Sequence, residues 1–180
     1  VPFLVAGMVL VGLMCAVDLL LTMAVIRRLR EHTEQLADLR GGGDPSRSLL
    51  PAGSRLPTFE VRSVDGEVID SETSGHELVA FLSTDCSVCL EESPELVRFI
   101  HAQRIDRSAA AVVVIGDDGP QAQHLVDELR SVAGVIREPW DGPVGRAFSA
   151  QVFPVFYLVS DGVVQGGSIS IGGLNRSVRA

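Results

Sequence analysis

The chain has 180 residues and a net charge of −8, from 15 basic and 23 acidic side chains. That length suits one domain plus an appendage. The acidic balance excludes the basic face that phosphate binding requires, so no nucleic acid is expected among its partners.

Hydrophobic residues make up 46% of the chain and mean hydropathy is +0.29, high for a purely soluble domain. The excess sits in the segment from Pro2 to Ile26, where Asp18 is the single formal charge. About 20 apolar residues cross a bilayer core as a helix. Residues 1–26 are therefore expected to form a transmembrane anchor, inserted in the membrane by residues 2–26. No basic residue precedes the run, Arg27, Arg28 and Arg30 close it, and Met14 before Cys15 is not small. The pattern fits neither a cleaved signal nor a lipoprotein site, so the expectation is an uncleaved, single-pass anchor in the cell membrane.

Residues 27–40 are charged and helix-compatible, with Leu29, Leu36 and Leu39 near helical spacing. Gly41-Gly42-Gly43-Asp44-Pro45 ends that stalk, and the Gly, Ser, Pro and Arg residues up to position 55 read as a linker. Residues 56–180 then form the globular domain. Phe59–Val64, a turn at Asp65-Gly66, and Glu67–Ile69 read as a β-hairpin. Leu78–Leu82 is a continuous apolar run suited to a buried central strand.

Ser83-Thr84-Asp85 supply capping residues for a helix from Cys86 to about Arg104, with Leu90, Leu96, Val97 and Ile100 inward and Pro94 in its interior. Ala109–Ile115 predicts a second central strand, Pro120–Leu129 a helix opened by proline at its first position, and Val135-Ile136 a short strand. Gly145–Ala150 predicts one helical turn. Phe153–Val159, a turn at Asp161-Gly162, and Val163–Gln165 predict a closing hairpin. This order implies an α/β fold, a central mixed sheet with flanking helices.

The three cysteines are too few for a disulfide framework. Cys86 and Cys89, spaced C-x-x-C, lack the second pair that a four-ligand zinc site needs. His32, His76, His101 and His124 are scattered and read as surface histidines, so no metal and no cofactor is expected. At a helix start the first sulfur meets unpaired backbone N–H groups and the positive end of the dipole, both of which favour thiolate. The second cysteine, one turn on, can resolve a mixed disulfide. Cys86 is thus the expected nucleophile and Cys89 the resolving thiol. Asp85, Glu91 and Glu92 oppose thiolate formation by their charge. Pro154 is compatible with a cis peptide beside the thiols, which would bring Phe153 there too, and equally with a plain strand-start proline.

Three stretches, Leu56-Pro57-x-Phe59, Val64-Asp65-Gly66 and Leu78–Pro94 with its Cys86-Ser-Val-Cys89, together resemble the thioredoxin-like redoxins of the TlpA type. Phe153-Pro154 with Leu158-Val159 and Asp161-Gly162 resembles their cis-proline strand and hairpin. The anchor, Arg-rich exit and stalk are similar to the MauD-type accessory proteins of methylamine dehydrogenase. The resemblance spans residues 56–167. It implies a membrane-anchored thiol–disulfide oxidoreductase of the reductase class, with Cys86 and Cys89 as redox pair and Pro154 as cis-proline. Protein thiol and disulfide substrates, and a membrane-embedded electron donor or acceptor, would be its partners.

Glu92 matches a glutamate that tunes the thiols in cytochrome c maturation relatives, or is a solvated helix glutamate. Ala80 stands where thioredoxins place a buried aspartate. The C-terminal helix is reduced to a stub near Leu174–Arg179, which leaves one sheet face open to partial exposure. The resemblance implies an extracytoplasmic redox domain, whereas Arg27, Arg28 and Arg30 favour the cytoplasmic side by the positive-inside rule. A peroxiredoxin-like peroxidase and a non-enzymatic copper chaperone or assembly factor are the alternatives. The first lacks the family's proline ahead of the nucleophile, and the second lacks a histidine after His124.

Overall fold

A computed structural model describes Gly12, Met14 and residues 48–72 and 75–178, with side chains up to Leu174 in the last helix. The expected anchor at 2–26 and stalk at 27–40 lie outside the described residues, Gly12 and Met14 excepted. Among the described residues no helix is long and apolar enough to cross a membrane. The chain divides into two compact units, 1–43 and 44–180. The second contains Cys86 and Cys89.

A five-stranded sheet forms the centre of this second unit, built from β3 (Leu78–Ser83), β4 (Ala110–Ile115), β5 (Gly134–Glu138), β6 (Val155–Ser160) and β7 (Val163–Ser168). Its order is β5-β4-β3-β6-β7. β3, β4 and β5 run parallel, and β6 and β7 join antiparallel. Every residue of β3 and β4 is buried, as expected where a parallel sheet is covered on both faces and the strands read as continuous apolar runs. β1 (Glu60–Arg62) and β2 (Val68–Asp70) pair as the separate hairpin expected around Asp65-Gly66.

Helix α1 (Ser87–Gln103) and α2 (Pro120–Leu129) pack one face of the sheet, and α3 (Pro143–Ala147) packs the other. The first face gathers Leu78, Ala80, Leu82, Cys89, Leu96, Phe99 and Leu125, and the second Val79, Phe81, Ile115, Phe148 and Tyr157. Alternate residues of β3 supply both clusters, which is the period-2 signature of a strand between two layers. Full burial of each large apolar side chain contributes about 1.5–3 kcal/mol.

Three expectations are corrected. His76 is not a surface histidine. It is 4% exposed and stacks on Phe59 with ring planes 10° apart, because it leads directly into the buried strand β3. Residues 49–55, read as linker, lie against the sheet. Gly53 N–H donates to the Val164 carbonyl, Val164 N–H to Ser54, and Leu50 N–H to the Tyr157 hydroxyl. These contacts use the polar groups that the edge strand β7 would otherwise leave open. Finally, the C-terminal stub is a helix, α4 (Ile171–Val178), whose Ile171 and Leu174 are buried in the α1–α2 cluster. That face is therefore covered there.

Candidate active site

The thiol pair lies at the carboxyl end of β3, where the chain leaves the sheet for α1. Ser83 Oγ accepts from Asp85 N–H at 3.2 Å, and the Ser83 carbonyl accepts from Cys86 N–H at 3.4 Å. These bonds close a tight turn that delivers Cys86 as the N-cap of α1. The cap is Cys86 itself and none of the three residues before it. Cys89 N–H donates to Cys86 Sγ at 3.1 Å and to the Cys86 carbonyl at 3.1 Å. The sulfur thus occupies the place of a capping oxygen, facing the unpaired donors of the first turn.

The two cysteines differ sharply. Cys86 is half-buried and Cys89 fully buried, and both are free thiols. Ser83 N–H donates to Cys89 Sγ at 3.4 Å. Ala80 belongs to the same apolar cluster as Cys89. Burial pushes the Cys89 thiol far above the ordinary cysteine range, and its hydrogen bond with Cys86 pushes the same way, against the pull of Ser83 N–H. The arrangement therefore presents one accessible sulfur and holds the other protonated inside.

Phe153 and Pro154 come to the thiols from the start of β6, the antiparallel neighbour of β3. The Phe153–Pro154 peptide is cis, and the Phe153 carbonyl accepts from Cys86 Sγ at 3.6 Å. Pro154 is buried where β6 begins. Glu92 goes elsewhere. Its Oε2 accepts from Ile171 N–H at 2.9 Å, so the carboxylate caps α4 and ties it to α1.

Thr84, Glu138 and Trp140 also shape the site, the last two without any motif to mark them. Thr84 is buried beside Gly116, where φ is +130° and a Cβ would stand 2.0 Å from Thr84 Oγ1. Only glycine fits that conformation and that approach. Glu138, 5% exposed at the end of β5, accepts from Val144 N–H and Gly145 N–H at 3.0 Å each. Its carboxylate thereby caps α3, the element that leads to Phe153. Gly142 leaves room for it, since a Cβ there would lie 2.5 Å from Glu138 Oε2. Trp140 is 50% exposed and meets Phe153 edge-on, with ring centroids 5.9 Å apart. A lone glutamate at a strand end and a lone exposed tryptophan carry no periodicity, so only the fold reveals them.

A cavity of about 610 Å³ lies at the opposite end of the sheet, lined by His76, Glu77, Phe99, Leu158 and Asp161 among others. None of its walls touches the thiols. Among the described residues no group of three or more His, Cys, Asp or Glu side chains is placed to hold a metal ion.

No protein-family profile matches the chain, and no curated protein matches it. Solved structures do. The thioredoxin domain of a thiol-disulfide oxidoreductase from Bacteroides vulgatus is similar with TM-score 0.58 at 20% identity, over 72% of this chain and 96% of that one. A thiol:disulfide interchange protein from Bacteroides sp. gives 0.57 at 21% identity, over 73% and 90%. A secreted Mycobacterium tuberculosis disulfide oxidoreductase homologous to E. coli DsbE gives 0.54 at 17% identity, over 67% and 92%. At these identities the likeness concerns the backbone, and the sheet, helices and cis-proline loop around Cys86 and Cys89 constitute a thioredoxin-like fold.

Proposed function

We propose that this protein is a thiol–disulfide oxidoreductase of the reductase class acting on protein substrates through Cys86 and Cys89. The observation that carries the reading is the asymmetry of the pair, one accessible sulfur capping a helix and one buried thiol a turn away. In the first step Cys86 thiolate attacks a substrate disulfide. A bond forms between Cys86 and one substrate sulfur, and the other substrate sulfur leaves as thiolate and takes a proton. In the second step Cys89 gives its proton to water and attacks Cys86 Sγ, which breaks the bond from Cys86 to the substrate sulfur; that sulfur leaves as thiolate and takes a proton. The Cys86–Cys89 disulfide forms and the substrate departs with both cysteines reduced, so two electrons pass from protein to substrate.

The Phe153 carbonyl sits where it can orient the incoming chain beside Cys86. The TlpA-like motifs and the apolar segment 2–26 support a membrane-anchored form, with an extracytoplasmic redox domain serving maturation of a redox enzyme. A membrane-embedded partner would restore the dithiol. Against peroxidase and copper-carrier readings stands the buried resolving thiol within a single turn, which suits two-step exchange.

The test is reduction of a protein disulfide by an equimolar amount of the pre-reduced full chain in mild detergent. Cys86→Ser is expected to abolish it, and Cys89→Ser to stop it at a trapped mixed disulfide on Cys86. Undiminished reduction by Cys86→Ser would sink the reading, and consumption of peroxide in place of disulfide would favour the peroxidase.

A further inference from the structure

The rim around Cys86 combines an apolar ledge with carboxylates that have no ion-pair partner among the described residues. Trp140 is half exposed and leans on Phe153, whose carbonyl contacts Cys86 Sγ. Val88, between the two cysteines, is 48% exposed. Large apolar side chains exposed together beside a reactive atom mark an interaction surface.

Three exposed carboxylates border this ledge. Asp85 precedes Cys86, Glu91 lies one turn beyond Val88 on α1, and Asp141 follows Trp140. None of the three side chains has an ion-pair or hydrogen-bond partner among the described residues. Arg146, exposed on α3 five residues after Asp141, is one cation against these three carboxylates, which leaves an excess of negative charge. The carboxylates sit on the turn before α1, on α1 itself and on the loop before α3.

We propose that this rim selects its substrate. The preferred partner is a polypeptide segment whose disulfide cysteine is flanked by an apolar residue, seated on Trp140 and Phe153, and by basic residues facing Asp85, Glu91 and Asp141. This rests on the thiol–disulfide exchange reading and names the substrate class for it. Unpaired carboxylates raise the local concentration of a cationic segment and repel an anionic one, so the preference appears as an association rate that falls with salt.

The test uses the reduced full chain in nonionic detergent and three peptides, each bearing one cysteine as a mixed disulfide with 2-mercaptoethanol and a leucine beside it. The peptides differ only in flanking arginine, glutamine or glutamate. Trp140, the single tryptophan, reports docking by its fluorescence. The expected result is an arginine peptide reacting on the order of tenfold faster than the glutamate peptide at low ionic strength, the ratio shrinking toward one in high salt. The triple variant Asp85→Asn, Glu91→Gln, Asp141→Asn is expected to collapse the ratio at low salt. Trp140→Ala, followed by released 2-mercaptoethanol, is expected to erase the advantage of the arginine peptide over a fourth peptide that carries serine in place of its leucine. Equal rates for the three peptides, or a ratio the triple variant leaves intact, would overturn the inference alone. Failure to react with any of the peptides would overturn the exchange reading and the inference with it.

Discussion

Replacing Glu138 by alanine tests whether the cis-proline loop is held by a buried carboxylate two elements away. Glu138 accepts from Val144 N–H and Gly145 N–H at 3.0 Å each, and both donors belong to buried residues. Removing the acceptor strands both, at about 1–3 kcal/mol per buried unpaired group. The space that opens beside Gly142 can admit a water that restores part of this. The expected loss for Glu138→Ala is therefore about 2–4 kcal/mol, a large share of a typical domain stability of about 5–15 kcal/mol.

Glu138→Gln keeps one acceptor oxygen and turns an amide toward the second donor, so its loss should be about half as large. Urea unfolding followed by far-UV circular dichroism would show the midpoint falling by about 1–2 M for Ala, given a slope of about 2 kcal/mol per molar. Because α3 leads through Phe148 to Phe153, alkylation of Cys86 in the folded protein should change in the same order. A Glu138→Ala protein within about 0.5 kcal/mol of the parent would refute the reasoning, since that is the scatter of ordinary surface substitutions.

The same geometry sets three other outcomes. Burial holds His76 below the ordinary histidine value, with Asp70 pulling in the opposite direction. The unfolded chain therefore takes up a proton that the folded one refuses as pH falls below about 6.5; stability should drop between pH 7 and 5, and less so in His76→Phe. Cys89 is shifted the other way. Its contribution is present below the ordinary thiol value of about 8.5 and is lost as pH rises, because the unfolded chain releases the proton first. The reduced protein should lose more stability than Cys89→Ala between pH 7 and 9.5 in urea titrations. Gly116→Ala should cost about 2–4 kcal/mol from the positive φ together with the collision on Thr84, and a thermal melt unchanged from the parent would contradict this.

The elements along the chain and the position of the thiol pair at a strand-to-helix turn were legible from residue order alone. Leu78–Leu82 and Ala109–Ile115 announce buried strands by unbroken apolar runs, and Pro120 announces a helix start. C-x-x-C after capping residues locates the thiols, because each of these signals is local and periodic. Tertiary structure decided what depends on distant residues meeting. It buried His76, laid residues 49–55 along β7, and turned Glu92 toward Ile171 to cap the last helix. It also placed Glu138 beneath α3 and Trp140 beside Phe153. The physical reason is that burial and hydrogen-bond partners are properties of juxtaposition: a carboxylate's role is set by which N–H groups the fold brings to it, and no spacing within the chain encodes that directly.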